Sequence, residues 1–216
     1  MIIAEFVHTA FILSKNQKED KRMKNINKKF AKEDIDCLRF IVGKKLSSIK
    51  HDEFFWGNFS TSKVSFYVDS QIFQLRLKEE SLDFLWGEED VSVFSFQKCE
   101  EKDTNTIYID EKAPKPLITK IDETVKNIII IEDTIKAFNQ EGQFGQFTYV
   151  FGIIIKTENK EYCFWKENYF EDDIYIAKGQ NPKENMPDID SLWNDWAPGC
   201  YSENSRNYIE ISKIVE

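Results

Sequence analysis

The chain has 216 residues, 38 acidic against 29 basic, for a formal charge of −9. A chain of that length can bury a core without staples, and 41% hydrophobic with 31% charged residues makes it globular rather than disordered. The acidity argues against a nucleic-acid surface, which needs clustered Lys and Arg to release counterions, and suits a basic protein partner instead.

The first segment, Met1–Leu13, is apolar. It lacks a basic leader, carries Glu5 and His8, and no small-x-small cleavage site follows it, so a signal peptide is not expected. It is also too short to span a bilayer, and no membrane association is expected. Met23 opens a stretch that would serve equally well as a start, so residues 1–22 are read as an N-terminal extension. Lys15, Lys18, Lys21, Arg22, Lys24, Lys28, Lys29 and Lys32 form the clearest local basic stretch, read as a solvated arm. Glu33–Val42 follows as a helix, with Ile35, Leu38 and Val42 on one face and Gly43 able to end it.

Beyond this helix the chain is strand-rich, and 14% aromatic residues fit half-buried pleated surfaces. The expected class is α+β, predominantly antiparallel sheet, built from two related β-rich modules. The modules are 23–103 and 121–216, joined by a linker at 104–120 that holds Pro114 and Pro116. An internal echo at a spacing of about 80 residues suggests duplication. It sets Ser65–Leu77 against Phe147–Lys156, Leu82–Trp86 against Tyr162–Trp165, and Leu46–Ile49 against Asn127–Ile130. Within each module Glu79-Glu80 and Glu158-Asn159-Lys160 are read as strand-joining turns. Ile128–Ile131 suits a strand buried on both faces. Thr134–Glu141 is read as a short helix, because Ile131, Ile135 and Phe138 are spaced four and three apart and Gly142 follows. Pro187–Trp196 is read as a helix with Ile189, Leu192, Trp193 and Trp196 in one stripe. Tyr208–Val215 is read as a last strand that closes a sheet.

Chemistry is sparse. Cys37, Cys99, Cys163 and Cys200 show no CxxC spacing and read as reduced thiols of a cytoplasmic protein. The only histidines are His8 and His51, which leaves little room for a His-based triad or metal site. His51-Asp52-Glu53 reads as a polar turn. Gly142-Gln-Phe-Gly145 is not followed by the Lys-Ser/Thr of a phosphate loop. Neither Glu88-Glu89-Asp90 nor Glu171-Asp172-Asp173 fits a calcium loop. No catalytic residue, metal or cofactor is expected. The candidate binding surface combines Trp165, Tyr169, Trp193 and Trp196 with Glu171, Asp172 and Asp173, aromatic anchors set among carboxylates.

The composition resembles that of bacterial toxin-neutralising immunity proteins. The likeness is one of composition and covers no defined motif. It implies a non-enzymatic, antitoxin-like binding protein with an acidic surface and a basic protein partner. Two alternatives stand beside it. One is a small carboxylate- or metal-dependent hydrolase using Asp52, Glu53, Asp172 and Asp173. The other is an assembly protein that oligomerises through a free sheet edge.

Overall fold

A computed structural model describes residues 23–52, 59–85, 87–104, 116–166, 173–193 and 200–212, the side chains of 59–61, 192 and 193 excepted. The strands in chain order are β1 (Lys24–Lys28), β2 (Lys45–Asp52), β3 (Phe59–Thr61), β4 (Lys63–Val68), β5 (Gln71–Asp83), β6 (Glu88–Cys99), β7 (Pro116–Thr124), β8 (Asn127–Asn139), β9 (Gly142–Lys156), β10 (Glu161–Trp165), β11 (Asp173–Gly179) and β12 (Tyr201–Ile211). Two short helices accompany them, α1 (Lys32–Ile41) and α2 (Ile189–Trp193), with 3-10 turns η1 (Glu101–Thr104) and η2 (Pro182–Asn185).

The larger sheet runs β12-β8-β9-β10-β11-β3, and the smaller runs β6-β5-β4-β2-β7. All neighbours in these rows are antiparallel. β1 joins the larger sheet in parallel, matching Lys24–Lys28 to Gly145–Tyr149. The long β9 therefore gives one side to β8 and divides the other between β1 and β10. Strands from early in the chain, β1 and β3, thus sit in a sheet made mostly of later ones.

The two sheets face each other across one core. Leu46, Val64, Phe66, Leu75, Phe94 and Phe96 meet Ile128, Ile130, Val150, Ile153 and Phe164 there. Phe66 meets Phe164 edge-on, with ring centres 5.1 Å apart, a favourable geometry for the ring quadrupoles. The isoleucine run on β8 explains itself by alternation. Ile128 and Ile130 enter this core, and Ile129 and Ile131 enter a second core on the outer face of the larger sheet. A bulge adjusts β9 against β8, pairing Ile131 with Gly152 and Glu132 with Val150, so Phe151 is the extra residue. Only glycine fits beside it, because a Cβ on Gly152 would lie 2.3 Å from the Phe164 carbonyl oxygen.

The helix expected over Glu33–Val42 is present as α1, and Gly43 follows it at φ 80°, a conformation that favours glycine. The Asp34 carboxylate accepts from Ala31 N–H at 2.8 Å and from Phe96 N–H at 2.8 Å, so α1 also blunts the outer edge of β6. The helix expected over Pro187–Trp196 is described over Ile189–Trp193. The final strand begins earlier than expected, at Tyr201.

Three expectations are corrected. Thr134–Glu141 is not a helix, since β8 runs unbroken to Asn139. Its residues fit a period of two as well, with Ile131, Ile135 and Ala137 on one face. β-Branched Ile and Thr between two partner strands decide for the sheet. Glu79-Glu80 lies inside β5, and the chain turns instead after Asp83. Ser65–Leu77 is a hairpin, in which Tyr67 pairs with Ile72, whereas its supposed counterpart Phe147–Lys156 is part of the single strand β9. The fold is mostly antiparallel β with two short helices, and duplication is not shown.

Candidate functional site

A long sheet margin with no partner strand among the described residues is the outer side of β12, an eleven-residue strand at the end of the larger sheet. β8 fixes it along its whole inner side, from Tyr201 opposite Phe138 to Ile211 opposite Ile128. Tyr201 stacks on Phe138 with centroids 4.9 Å apart and planes at 4°. Tyr201, Tyr208 and Ile209 are 61%, 50% and 41% exposed, and Glu203 and Glu210 on the same strand are exposed as well. Beside the strand, Asn204 Nδ2 donates to Asp190 Oδ1 of α2 at 3.1 Å, bringing the exposed Asp188 and Asp190 alongside. Lys136, opposite Glu203, is the basic residue of the facing ladder. The margin thus combines aromatic surface, carboxylates and main-chain groups free to pair.

Beneath this margin lies a buried charge cluster. Arg206 reaches inward from β12 and donates to both oxygens of Asp133 on β8, at 2.7 Å each. Its Nη1 donates to the Pro187 carbonyl at 2.8 Å, and its guanidinium lies 3.9 Å from the Phe151 ring centre. One side chain therefore ties β12 to the sheet, to the turn before α2 and to the second core. Asp133 is fully buried. Burial pushes its carboxyl up, opposed by the Arg206 hydrogen bonds and charge. We assign it the ionised form, because a bidentate guanidinium pair supplies the compensation that a buried carboxylate needs.

Lys166, directly after β10, shares this region and is 1% exposed. Its ammonium donates to the Ser92 carbonyl of β6 and lies 4.7 Å from the Tyr149 ring and 5.8 Å from the Phe94 ring. Burial pulls it down to about 7, with Asp133 working against the shift. So fully buried, it is a structural lysine rather than an accessible nucleophile.

Of the expected binding residues, the structure describes Trp165, Asp173 and the backbone of Trp193. Trp165 is 5% exposed, packed in the second core and stacked on Tyr175 at 5.8 Å. Asp173 opens β11 opposite Thr61. Trp193 ends α2. Tyr169, Glu171, Asp172 and Trp196 lie outside the described residues, as does Glu53. Asp52 ends β2 and is buried near Lys63, whose ammonium is lowered by burial and raised in part by Asp52. Among the described residues no group of three or more His, Cys, Asp or Glu is placed to hold a metal, and no helix is long and apolar enough to cross a membrane. Burial raises the Cys163 thiol to about 12, which makes it inert at neutral pH.

No protein-family model matches the chain, and neither a curated protein nor a solved structure does. Function therefore rests on the geometry alone. Sequence reasoning did not single out Asp133, Lys166 or Arg206. The available signal was a charge inside an apolar strand pattern, as at Asp133 after four isoleucines.

Proposed function

We propose that this chain is a non-catalytic protein-binding protein that takes an extended, basic segment of its partner along β12. The observation that carries the reading is the composition of that margin. It is a long edge strand, pinned from below, with exposed Tyr201, Tyr208 and Ile209 among Glu203, Glu210, Asp188 and Asp190. Strand addition would supply main-chain hydrogen bonds, and the alternating side chains would supply selectivity. The carboxylates would steer a basic partner and give binding a steep salt dependence. An antitoxin-like role is one member of this class, supported by composition. The carboxylate-hydrolase alternative uses Asp52, Glu53, Asp172 and Asp173, of which Glu53 and Asp172 lie outside the described residues.

The test is a pair of columns, one carrying the chain and the other E203K/E210K, both loaded at low salt with lysate of the source organism. A basic protein held by the first and lost from the second, which also slows amide exchange across Tyr201–Ile211, supports the proposal. Retention indifferent to the charge reversal, or protection elsewhere, overturns it. So does a concentration-dependent dimer of the chain that protects β12, which would make it a self-assembling protein instead.

A further inference from the structure

β1 is held by charge more than by packing. It has five residues, runs parallel to β9 and pairs with no other strand among the described residues. Asn25 and Asn27 face solvent, and Ile26 is its apolar contact with the second core. Its lysines, expected from the sequence to lie on a solvated arm, are ion-paired. Lys24 Nζ donates to Asp83 at 2.7 Å and to the Phe84 carbonyl at 2.9 Å, and Lys28 Nζ donates to Glu80 at 2.7 Å. The side chains of these pairs are 37% and 78%, and 24% and 42%, exposed, so water and salt screen them.

The slot around β1 is built without it. One wall is β9, which β8 pairs along its length. The other is the end of the β5–β6 hairpin, fixed to β9 by Phe84, whose ring meets Phe147 edge-on at 4.9 Å. The hold on the chain changes sharply just past the strand. Lys29 pairs at 2.7 Å with Glu132, whose side chain is 9% exposed, and Phe30 is buried in the core between the sheets. These two residues tether the chain where β1 ends and leave β1 little reach into a second copy of the protein.

We propose that this slot is a receptor for a basic extended strand of a partner protein, and that β1 is a resident stand-in which such a strand displaces. The incoming strand would place a lysine at Asp83, an apolar residue against the second core and a lysine at Glu80, with its main chain on Gly145–Tyr149. A parallel pair, weaker per residue than an antiparallel one and closed here by screened charges, suits exchange. β9 and β8 separate the slot from β12, so the proposal stands whether or not β12 takes a ligand.

The probe is a capped peptide of Met23–Lys28, titrated into the 15N-labelled full chain and into K24Q/K28Q. Saturable shifts at Gly145–Tyr149 are expected, with faster amide exchange at the chain's own Lys24–Lys28. Affinity should be about fivefold tighter in K24Q/K28Q, whose own strand competes less. It should fall about tenfold or more between 0.05 and 0.5 M salt. A peptide with both lysines changed to glutamate should not bind. No saturable shift in either chain at ~2 mM peptide, or equal affinity for the two chains, overturns the proposal. So do shifts confined to Tyr201–Ile211, which would favour β12 instead, and a concentration-dependent dimer that the peptide dissolves, which would assign the slot to a second copy.

Discussion

The outer faces of the two sheets solve the same problem differently. On the larger sheet, Ile129, Ile131, Phe147, Phe151, Cys163 and Trp165 are covered by Phe84, Leu85 and Val91 from the β5–β6 hairpin, with Met186 and Ile189 packed against them. On the smaller sheet the cover among the described residues is the turn η1, and the chemistry is polar. Gln74 donates to Ser65 Oγ at 2.9 Å, Lys63 donates to the Asp103 carbonyl at 3.2 Å, and Lys50 donates to Thr104 Oγ1 at 2.9 Å. A dry face leaves a charge no water to fall back on, so each must find a full partner. A polar face at the rim of the sheet spreads its bonds over main-chain oxygens and hydroxyls, and each bond matters less.

Removing a partner on the dry face should show this most clearly. Arg206→Ala strands the Asp133 carboxylate and releases β12 from the turn before α2. We expect a loss of about 3–5 kcal/mol in urea unfolding, the usual result of breaking a buried pair from one side. A loss below about 1 kcal/mol would mean that water reaches Asp133, and that the two faces do not differ in the way described. The same variant should loosen the β12 margin, so amide exchange there should rise more than across β4 and β5.

Lys166 sharpens the comparison through pH. Its folded-state value is about 7 against an ordinary 10.5, so between those values the unfolded chain binds the proton more readily. This group's contribution to stability therefore rises with pH from about 7 to about 10.5 and is most unfavourable below 7. Lys166→Met keeps the length and removes the charge. It should be the more stable protein at pH 7, with an advantage of at most a few kcal/mol that shrinks as pH rises toward 10. A constant difference across that range would show that Lys166 does not titrate with folding.

The contrast between the faces also explains what the sequence reveals and what it hides. Local patterns are legible. The Leu38 stripe and Gly43 mark α1, the four isoleucines mark a doubly buried strand, and Glu158–Lys160 marks a turn. Each depends on residues within a few positions. Thr134–Glu141 fails because its apolar spacing satisfies both periods, and the decision comes from β9 and β12 on either side. The candidate site fails more completely. Arg206 and Asp133 are 73 residues apart, and Lys166 and Ser92 are 74 apart, so nothing near any of them in the chain announces a partner. Trp165 reads equally well as an anchor or as core, and only the strands around it place it inside. Aromatic and acidic residues also make a margin on β12, where the exposed side is set by which strand ends the sheet.

Gln74 gives the smallest expected effect and completes the comparison. It is fully buried, yet its amide serves Ser65 Oγ and, at 3.3 Å, the Asp103 carbonyl, while its oxygen accepts from Arg76. Gln74→Ala removes all of these bonds without leaving an isolated charge. Ser65 can turn its hydroxyl, Arg76 is only partly buried, and the Asp103 carbonyl still accepts from Lys63. The loss should be about 1–2 kcal/mol by the same urea measurement, clearly less than at Arg206. An equal or larger loss would show that η1 seals its face as tightly as the hairpin seals the other, and that polarity rather than dryness distinguishes the two.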